Sequence, residues 1–257
     1  LGKQMIGELE LNRIYQRDCI EGMRLIPDKS IDMILCDLPY GTTRNKWDTV
    51  IPFEPLWEQY ERVIKDNGAI VLFAQTPFDK VLACSNLKLL RYEWIWEKTQ
   101  PTGHLNAKKM PMKSHENILV FYKKLPTYNP QKTTGHERKV SLAAHKNNCS
   151  KSTNYGEYQN TSYDSTERYP RSVLVFPTDK QKSQLHPTQK PVDLLRYLIR
   201  TYTNDGEVVL DNCMGSGSTA VAALKENRKF VGFEIEEKYV RISEERVSLE
   251  FNEGGAA

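Results

Sequence analysis

Apolar positions along this chain gather in short runs that alternate with helical stripes, over residues 13–122 and again over 173–247. Residues 31–36 and 69–74 are near-continuous apolar runs, the pattern of strands buried on both faces. Between them, 53–65 places Leu56, Tyr60, Val63 and Ile64 at helical spacing, and Asp66-Asn67-Gly68 supplies a stop. Residues 92–96 and 118–122 are further strand candidates. Pro191 opens a second amphipathic helix over 192–203, with Leu194, Leu195, Leu198 and Ile199 on one face. A strand at 208–210, a glycine turn at 211–217, a helix at 218–226, a strand at 230–233 and a last helix from Glu237 complete the pattern. Such alternation predicts an α/β fold, a doubly wound and mostly parallel sheet.

Between 123 and 171 the alternation dissolves into Lys, Asn, Ser, Thr, Tyr and Gln. The composition suits either a disordered insert or a surface that grips nucleic acid. Tyr128, Tyr155, Tyr158, Tyr163 and Tyr169, interleaved with basic and amide side chains, favour the second. The expected organisation is therefore one α/β domain in two halves, 5–122 and 173–250, with an insert at 123–172.

Composition narrows the class without naming a chemistry. Apolar and charged contents of 39% and 27% suit a globular protein, and no apolar stretch is long enough for a bilayer. Residues 1–10 lack the apolar core of a signal peptide. The five cysteines are scattered and form no Cys-x-x-Cys pair, which argues against a zinc site or disulfide framework and for a reducing cytoplasm. A net charge of +3 is weak evidence for nucleic acid, but the basic residues crowd the middle of the chain.

Two motifs carry the chemistry. The first is Asp37-Leu38-Pro39-Tyr40, at the end of the 31–36 strand and ahead of Gly41. A carboxylate and a backbone carbonyl can accept the two hydrogens of an exocyclic amine while an aromatic ring stacks on its base. The second is Asp211-Asn212-Cys213-Met214-Gly215-Ser216-Gly217-Ser218-Thr219-Ala220, a strand-turn-helix unit followed by Glu234 at the next strand end. Its glycines allow close backbone approach, and the acid suits ribose hydroxyls. The turn also satisfies a Gly-x-Gly-x-x-Ala dinucleotide pattern, so NAD or FAD is a rival. Asp211 would face a pyrophosphate poorly.

Together these motifs resemble the amino-group DNA methyltransferases of the β class, which use S-adenosyl-L-methionine. Asp37-Leu38-Pro39-Tyr40 is similar to the family's Asp-Pro-Pro-Tyr, and the glycine turn to its Phe-x-Gly-x-Gly. Asp18-Cys19 resembles the family's Gly-Asp-Cys opening. His186-Pro187-Thr188-Gln189-Lys190-Pro191 resembles the segment that holds the methionine tail. The order, tetrad first, variable region second, cofactor turn last, is the permuted β-class order. The sequence departs from the family at Leu38, where a first proline is usual, and at Asn212-Cys213, where Pro-Phe is typical.

The resemblance implies a Rossmann-like S-adenosylmethionine-dependent methyltransferase fold with an inserted target-recognition region. It implies a catalytic Asp37, Leu38, Pro39 and Tyr40 acting on a flipped base, and a cofactor site of Asp18, Cys19, Asp37, His186, Thr188, Lys190, Asp211, Asn212, Met214, Gly215, Ser216, Gly217, Ser218, Thr219 and Glu234. Within it, Asp18 would accept from the adenine amine, Glu234 would take the ribose, and Thr188 and Lys190 would take the methionine carboxylate. The lesser alternatives are Asp18 as the cap of the next helix and Lys190 as a surface lysine. Thr42, Arg44, Lys46 and Trp47 form a candidate lid on DNA. Lys98, Lys108, Lys109, Lys113 and His115 are candidate phosphate contacts.

The expected function is N6-adenine methylation of a short site in duplex DNA, because aspartate at the head of the tetrad leans toward adenine in the family. N4-cytosine methylation, an RNA or protein amide methyltransferase, and an inactive DNA-binding module are the alternatives. The expected protein is cytoplasmic and nucleoid-associated, a monomer or homodimer, with a restriction endonuclease as a further partner and no metal.

Overall fold

The computed structural model of the chain describes residues 3–41, 48–142, 161–178 and 189–254. These form two compact units, Leu1–Asn129 with Ser172–Ala257, and Pro130–Arg171. The larger unit opens with a small hairpin, β1 (Met5–Ile6) and β2 (Leu9–Glu10). Then come β3 (Arg13–Gln16), α1 (Cys19–Met23), β4 (Ile31–Asp37), α2 (Phe53–Val63), β5 (Ile64–Ala74), α3 (Phe78–Ser85), β6 (Leu90–Thr102) and β7 (Lys113–Phe121). The smaller unit holds β8 (Lys139–Ser141) and β9 (Tyr163–Ser165). After it follow β10 (Val173–Phe176), α4 (Val192–Tyr202), β11 (Val208–Asp211), α5 (Ser218–Lys225), β12 (Lys229–Glu234) and α6 (Glu237–Gly254).

Among the described residues, eight strands make one sheet in the order β10-β6-β7-β5-β4-β11-β12-β3. β3, β12, β11, β4 and β5 run parallel; β7 is antiparallel to both β5 and β6, and β10 is parallel to β6. Strand alternation divides the core into two layers. Ile34, Cys36, Ile70, Leu72, Leu119 and Phe121 face one layer with Met23, Leu56, Tyr60 and Leu82 of α1, α2 and α3. Met33, Leu35, Val71, Phe73, Ile118 and Val120 face the other with Leu194, Leu198, Ala220, Ala222, Val240 and Val247 of α4, α5 and α6. The fold is the Rossmann-like arrangement expected from the sequence.

The expected helix over 53–65 is shorter in the structure. α2 ends at Val63, and Ile64 takes an extended conformation and begins β5. Backbone pairing explains this: Ile64 lies opposite Ile31, with a register shift before Met33 pairs Ala69. Asp66-Asn67-Gly68 therefore lies within a strand. Buried Asp32 fixes the irregular start of this pair, accepting from Lys65 Nζ at 2.6 Å and from Val208 N–H at 2.9 Å.

The smaller unit is an antiparallel pair with Lys139 opposite Ser165, extended by a bridge between Thr133 and Arg168. Two of its described basic groups are partnered within the unit. Arg138 Nε donates to Asp164 at 2.7 Å, and Lys132 pairs with Glu167 at 2.9 Å while lying 4.9 Å from the Tyr169 ring.

Candidate active site

β4 and β11 are neighbours in the sheet, yet their chains leave in opposite directions, β4 to β5 on one side and β11 to β12 on the other. Connections that diverge in this way open a crevice at the carboxyl ends of the strands. Asp37 and Asp211 stand at those ends. One cavity of about 640 Å³ is lined by both the tetrad and the glycine turn, including Asp37, Tyr40, Gly215 and Glu234.

On the tetrad side, Asp37 is held from two directions. Tyr40 donates its hydroxyl to Asp37 Oδ1 at 2.7 Å, and Lys190 Nζ donates to Asp37 Oδ2 at 2.6 Å. The Tyr40 ring stacks on Phe78 with centroids 5.0 Å apart. Leu38, in place of the usual proline, is 3% exposed and packs into the α1–α3 layer, so burial anchors the loop where ring stiffness is absent. Asp48 accepts from Gly41 N–H at 2.8 Å and fixes the loop's exit.

Behind Asp37 lies a buried row of alternating charge. Lys190 Nζ is 3.2 Å from Glu116 Oε2, and Glu116 Oε1 is 2.6 Å from Lys98 Nζ. The Lys190 ammonium also lies 5.2 Å from the Phe73 ring. Burial pushes the Asp37 carboxyl above its ordinary value, with Lys190 opposing and Glu116 reinforcing that shift. For Glu116, burial acts in the same upward direction, but Lys190 and Lys98 together outweigh it and hold its pKa low. Lys190 is raised, because its two carboxylates overcome the burial that would discharge it.

On the turn side, the side chains brace the backbone. Glu234 Oε2 accepts from Gly215 N–H at 2.7 Å and its Oε1 from Glu236 N–H at 2.9 Å; burial still raises its pKa. Asp211 accepts from Cys213 N–H at 3.0 Å, and burial pushes its pKa to about 6 against a hydrogen bond from Thr219. Asn212, where proline is typical, accepts from the buried Tyr60 hydroxyl at 2.6 Å. Arg246 of α6 donates to the Ser216 carbonyl at 2.7 Å. Gly217 has φ +82°, and a β-carbon there would meet Ser243 Cβ at 2.7 Å, so left-handed backbone and helix contact both demand glycine.

The structure gathers most of the expected site residues and redistributes some. Asp18, Cys19, Asp37, Leu38, Pro39, Tyr40, Lys190, Asp211, Asn212, Met214, Gly215, Ser216, Ser218, Thr219 and Glu234 line the one cavity. Gly217 is absent from that lining and lies beneath the turn, against α6. Asp18 caps α1, accepting from Ile20 and Glu21 N–H at 2.9 and 3.1 Å through one oxygen. Lys190 is not a surface lysine: it is 7% exposed and its ammonium sits on Asp37 and Glu116. Lys98 is corrected as a phosphate contact. It is 8% exposed and committed to Glu116, because β6 turns it inward beside Trp96. Lys108, Lys109, Lys113 and His115 are exposed around the β6–β7 connection. Thr42, Arg44, Lys46, Trp47, His186 and Thr188 lie outside the described residues.

Sequence reasoning passed over Glu116 and Phe78. The only signal for Glu116 is a charge immediately ahead of Asn117-Ile118-Leu119-Val120-Phe121, where an apolar strand begins. Phe78 gave no signal beyond an ordinary core aromatic.

The model of a DNA methylase family, the N6/N4 type, matches residues 31–245. The chain belongs to this family. It is therefore a DNA methyltransferase of the amino-methylating kind and uses S-adenosyl-L-methionine. It is 27% identical to the DNA adenine methyltransferase YhdJ of Escherichia coli (strain K12), over 93% of this chain and 84% of that protein. Among solved structures it is similar to M1.HpyAVI in its complex with S-adenosylmethionine, at 23% identity and TM-score 0.61, covering 91% of this chain and 98% of the other. It is also similar to the cytosine-N4-specific PvuII DNA methyltransferase, at 15% identity and TM-score 0.63, covering 93% and 90%.

The residues present fit such a cofactor. The cavity joins carboxylates at Asp18, Asp211 and Glu234 to the turn backbone, and a sulfonium nucleoside carries both donors and positive charge for them. Gln189 Oε1, beside them, is buried and has no hydrogen-bond partner among the described residues. Such an acceptor requires a donor.

Proposed function

We propose that this methyltransferase acts on the exocyclic N6 of adenine, extruded from a short duplex site. The observation that carries the reading is the shared cavity: an aspartate paired with a stacking-ready tyrosine opens into the same space as the glycine turn. Phe78 stacks on one face of Tyr40, and the reading places the base on the other. Asp37 and the Leu38 carbonyl would accept the two amino hydrogens, which draws the nitrogen lone pair out of ring conjugation and aims it across the cavity. Bound S-adenosylmethionine supplies an electrophilic methyl group on a cationic sulfur. The protein's contribution is alignment and preorganised charge. Glu234 and the Gly215–Ser216 backbone would hold the nucleoside part, with Asp211 between the two halves.

Adenine is favoured by the aspartate that heads the tetrad and by the similarity to an adenine methyltransferase. Incubation of unmethylated DNA with tritiated cofactor, followed by nucleoside analysis, tests it. Label is expected in N6-methyladenine; label confined to N4-methylcytosine transfers the same chemistry to the other base and overturns the adenine assignment. Exposed Lys108, Lys109, Lys113 and His115 would contact the DNA backbone.

A further inference from the structure

We propose that Lys190 is a positioning residue of the transfer reaction, with two seats: its ammonium holds the place of the target amine on Asp37 and withdraws to Glu116 when the base arrives. The inference rests on the reading of Asp37 as the acceptor of the amino hydrogens. Three observations carry it. Asp37 Oδ1 accepts from the Tyr40 hydroxyl at 2.7 Å and Lys190 holds Oδ2 at 2.6 Å, so an amine that takes Oδ2 competes directly with the ammonium. Glu116 Oε2 is buried, already ion-paired with the same ammonium at 3.2 Å, and has no aligned hydrogen-bond donor among the described residues. Lys98 holds the other oxygen of Glu116 at 2.6 Å and keeps that second seat in place. A buried carboxylate oxygen that is ion-paired but lacks an aligned donor can take a full hydrogen bond from the ammonium once that ammonium leaves Asp37.

The charge count supports the exchange. Lys98, Glu116, Lys190 and Asp37 sum to zero when all are ionised, which a buried cluster requires. Besides Tyr40, Lys190 and Glu116, the groups facing Asp37 are Cys36 on its own strand and Asp211 on β11. Without the ammonium, burial and the neighbouring acids would protonate Asp37, and a protonated acid loses much of its capacity to accept from an amine. As the methyl group transfers, positive charge develops on the base nitrogen. With the ammonium already withdrawn onto Glu116, Asp37 is free to stabilise that charge. Lys190 acts through Asp37 and need not touch the base.

The test is the pH dependence of single-turnover methyl transfer to unmethylated DNA by the full chain, together with calorimetric cofactor affinity. In Lys190→Met, loss of the cation is expected to move the acid limb up by about one unit or more and to slow transfer roughly 10- to 100-fold at pH 7. Cofactor affinity is expected to change less than about threefold, and Lys190→Arg to restore the acid limb. Glu116→Gln, which keeps the shape of the second seat without its charge, is expected to act oppositely on the limb. Removing a like charge from beside Asp37 moves it to lower pH, while the plateau rate drops about tenfold because the ammonium has no anionic second seat. Should Lys190→Met fail to fold by circular dichroism, Glu116→Gln alone decides. An unmoved acid limb in either folded variant, or a cofactor affinity collapsing with the limb unchanged, overturns the proposal and returns Lys190 to the methionine carboxylate. A wild-type chain that transfers no methyl to DNA would instead sink the functional reading beneath it.

Discussion

The Tyr60 hydroxyl donates to Asn212 Oδ1 at 2.6 Å, a buried bond that ties α2 to the cofactor turn. The turn lacks the proline typical of its family, and this hydrogen bond takes over the restraint. Tyr60→Phe leaves an acceptor unpaired in the core, at an expected cost of about 1–3 kcal/mol in denaturant unfolding. Cofactor affinity should fall with it, since Asn212 leads directly into Cys213 and the glycine turn. A variant with unchanged stability and affinity would show the bond to be incidental.

Asp37→Ala should fold, bind cofactor as the wild type does, and lose methyl transfer by at least about a hundredfold, since its carboxylate serves the reacting nitrogen. Calorimetry and a tritium-transfer assay on the same preparation check the two halves separately. Near-normal turnover would remove Asp37 from the reaction.

Asp211 should make stability depend on pH. Its folded pKa of about 6 lies above its ordinary 3.8, so the native state holds the proton more tightly between those values. Folding therefore loses free energy as pH rises from about 4, and the full penalty is present above about 6. Asp211→Asn removes the penalty and keeps an acceptor for Cys213 N–H. The cofactor-free variant should gain on the wild type as pH increases, by up to about 3 kcal/mol at pH 8, in denaturant unfolding. It should bind cofactor more weakly, having lost a negative charge in the cavity. A stability difference constant between pH 4 and 8 would contradict this.

DNA affinity should fall steeply with salt, and joint Lys108→Ala, Lys109→Ala and Lys113→Ala substitution should flatten that dependence. Each phosphate contact removed lowers the log–log slope by about 0.9. Lys98→Met, at a buried and paired position, should leave the slope unchanged. Fluorescence anisotropy of labelled duplex across a salt series measures both. An identical slope in the triple variant would take the β6–β7 connection out of the interface.

What the sequence determined by itself was local and periodic. Apolar runs named the strands that bury both faces, a proline and a stripe named α4, and two short motifs named the strand ends where chemistry would sit. Those features are written in neighbouring residues, so they survive without knowledge of the fold. Tertiary structure alone decided the rest. The end of α2 moved to Val63 because Ile64 found a partner in Ile31, far away in the chain. Lys98 and Lys190 read as surface or ligand-facing cations until β6, β7 and the approach to α4 enclosed both around Glu116. A lysine's environment depends on which strand lies opposite it, and the pattern of a single chain does not carry that pairing.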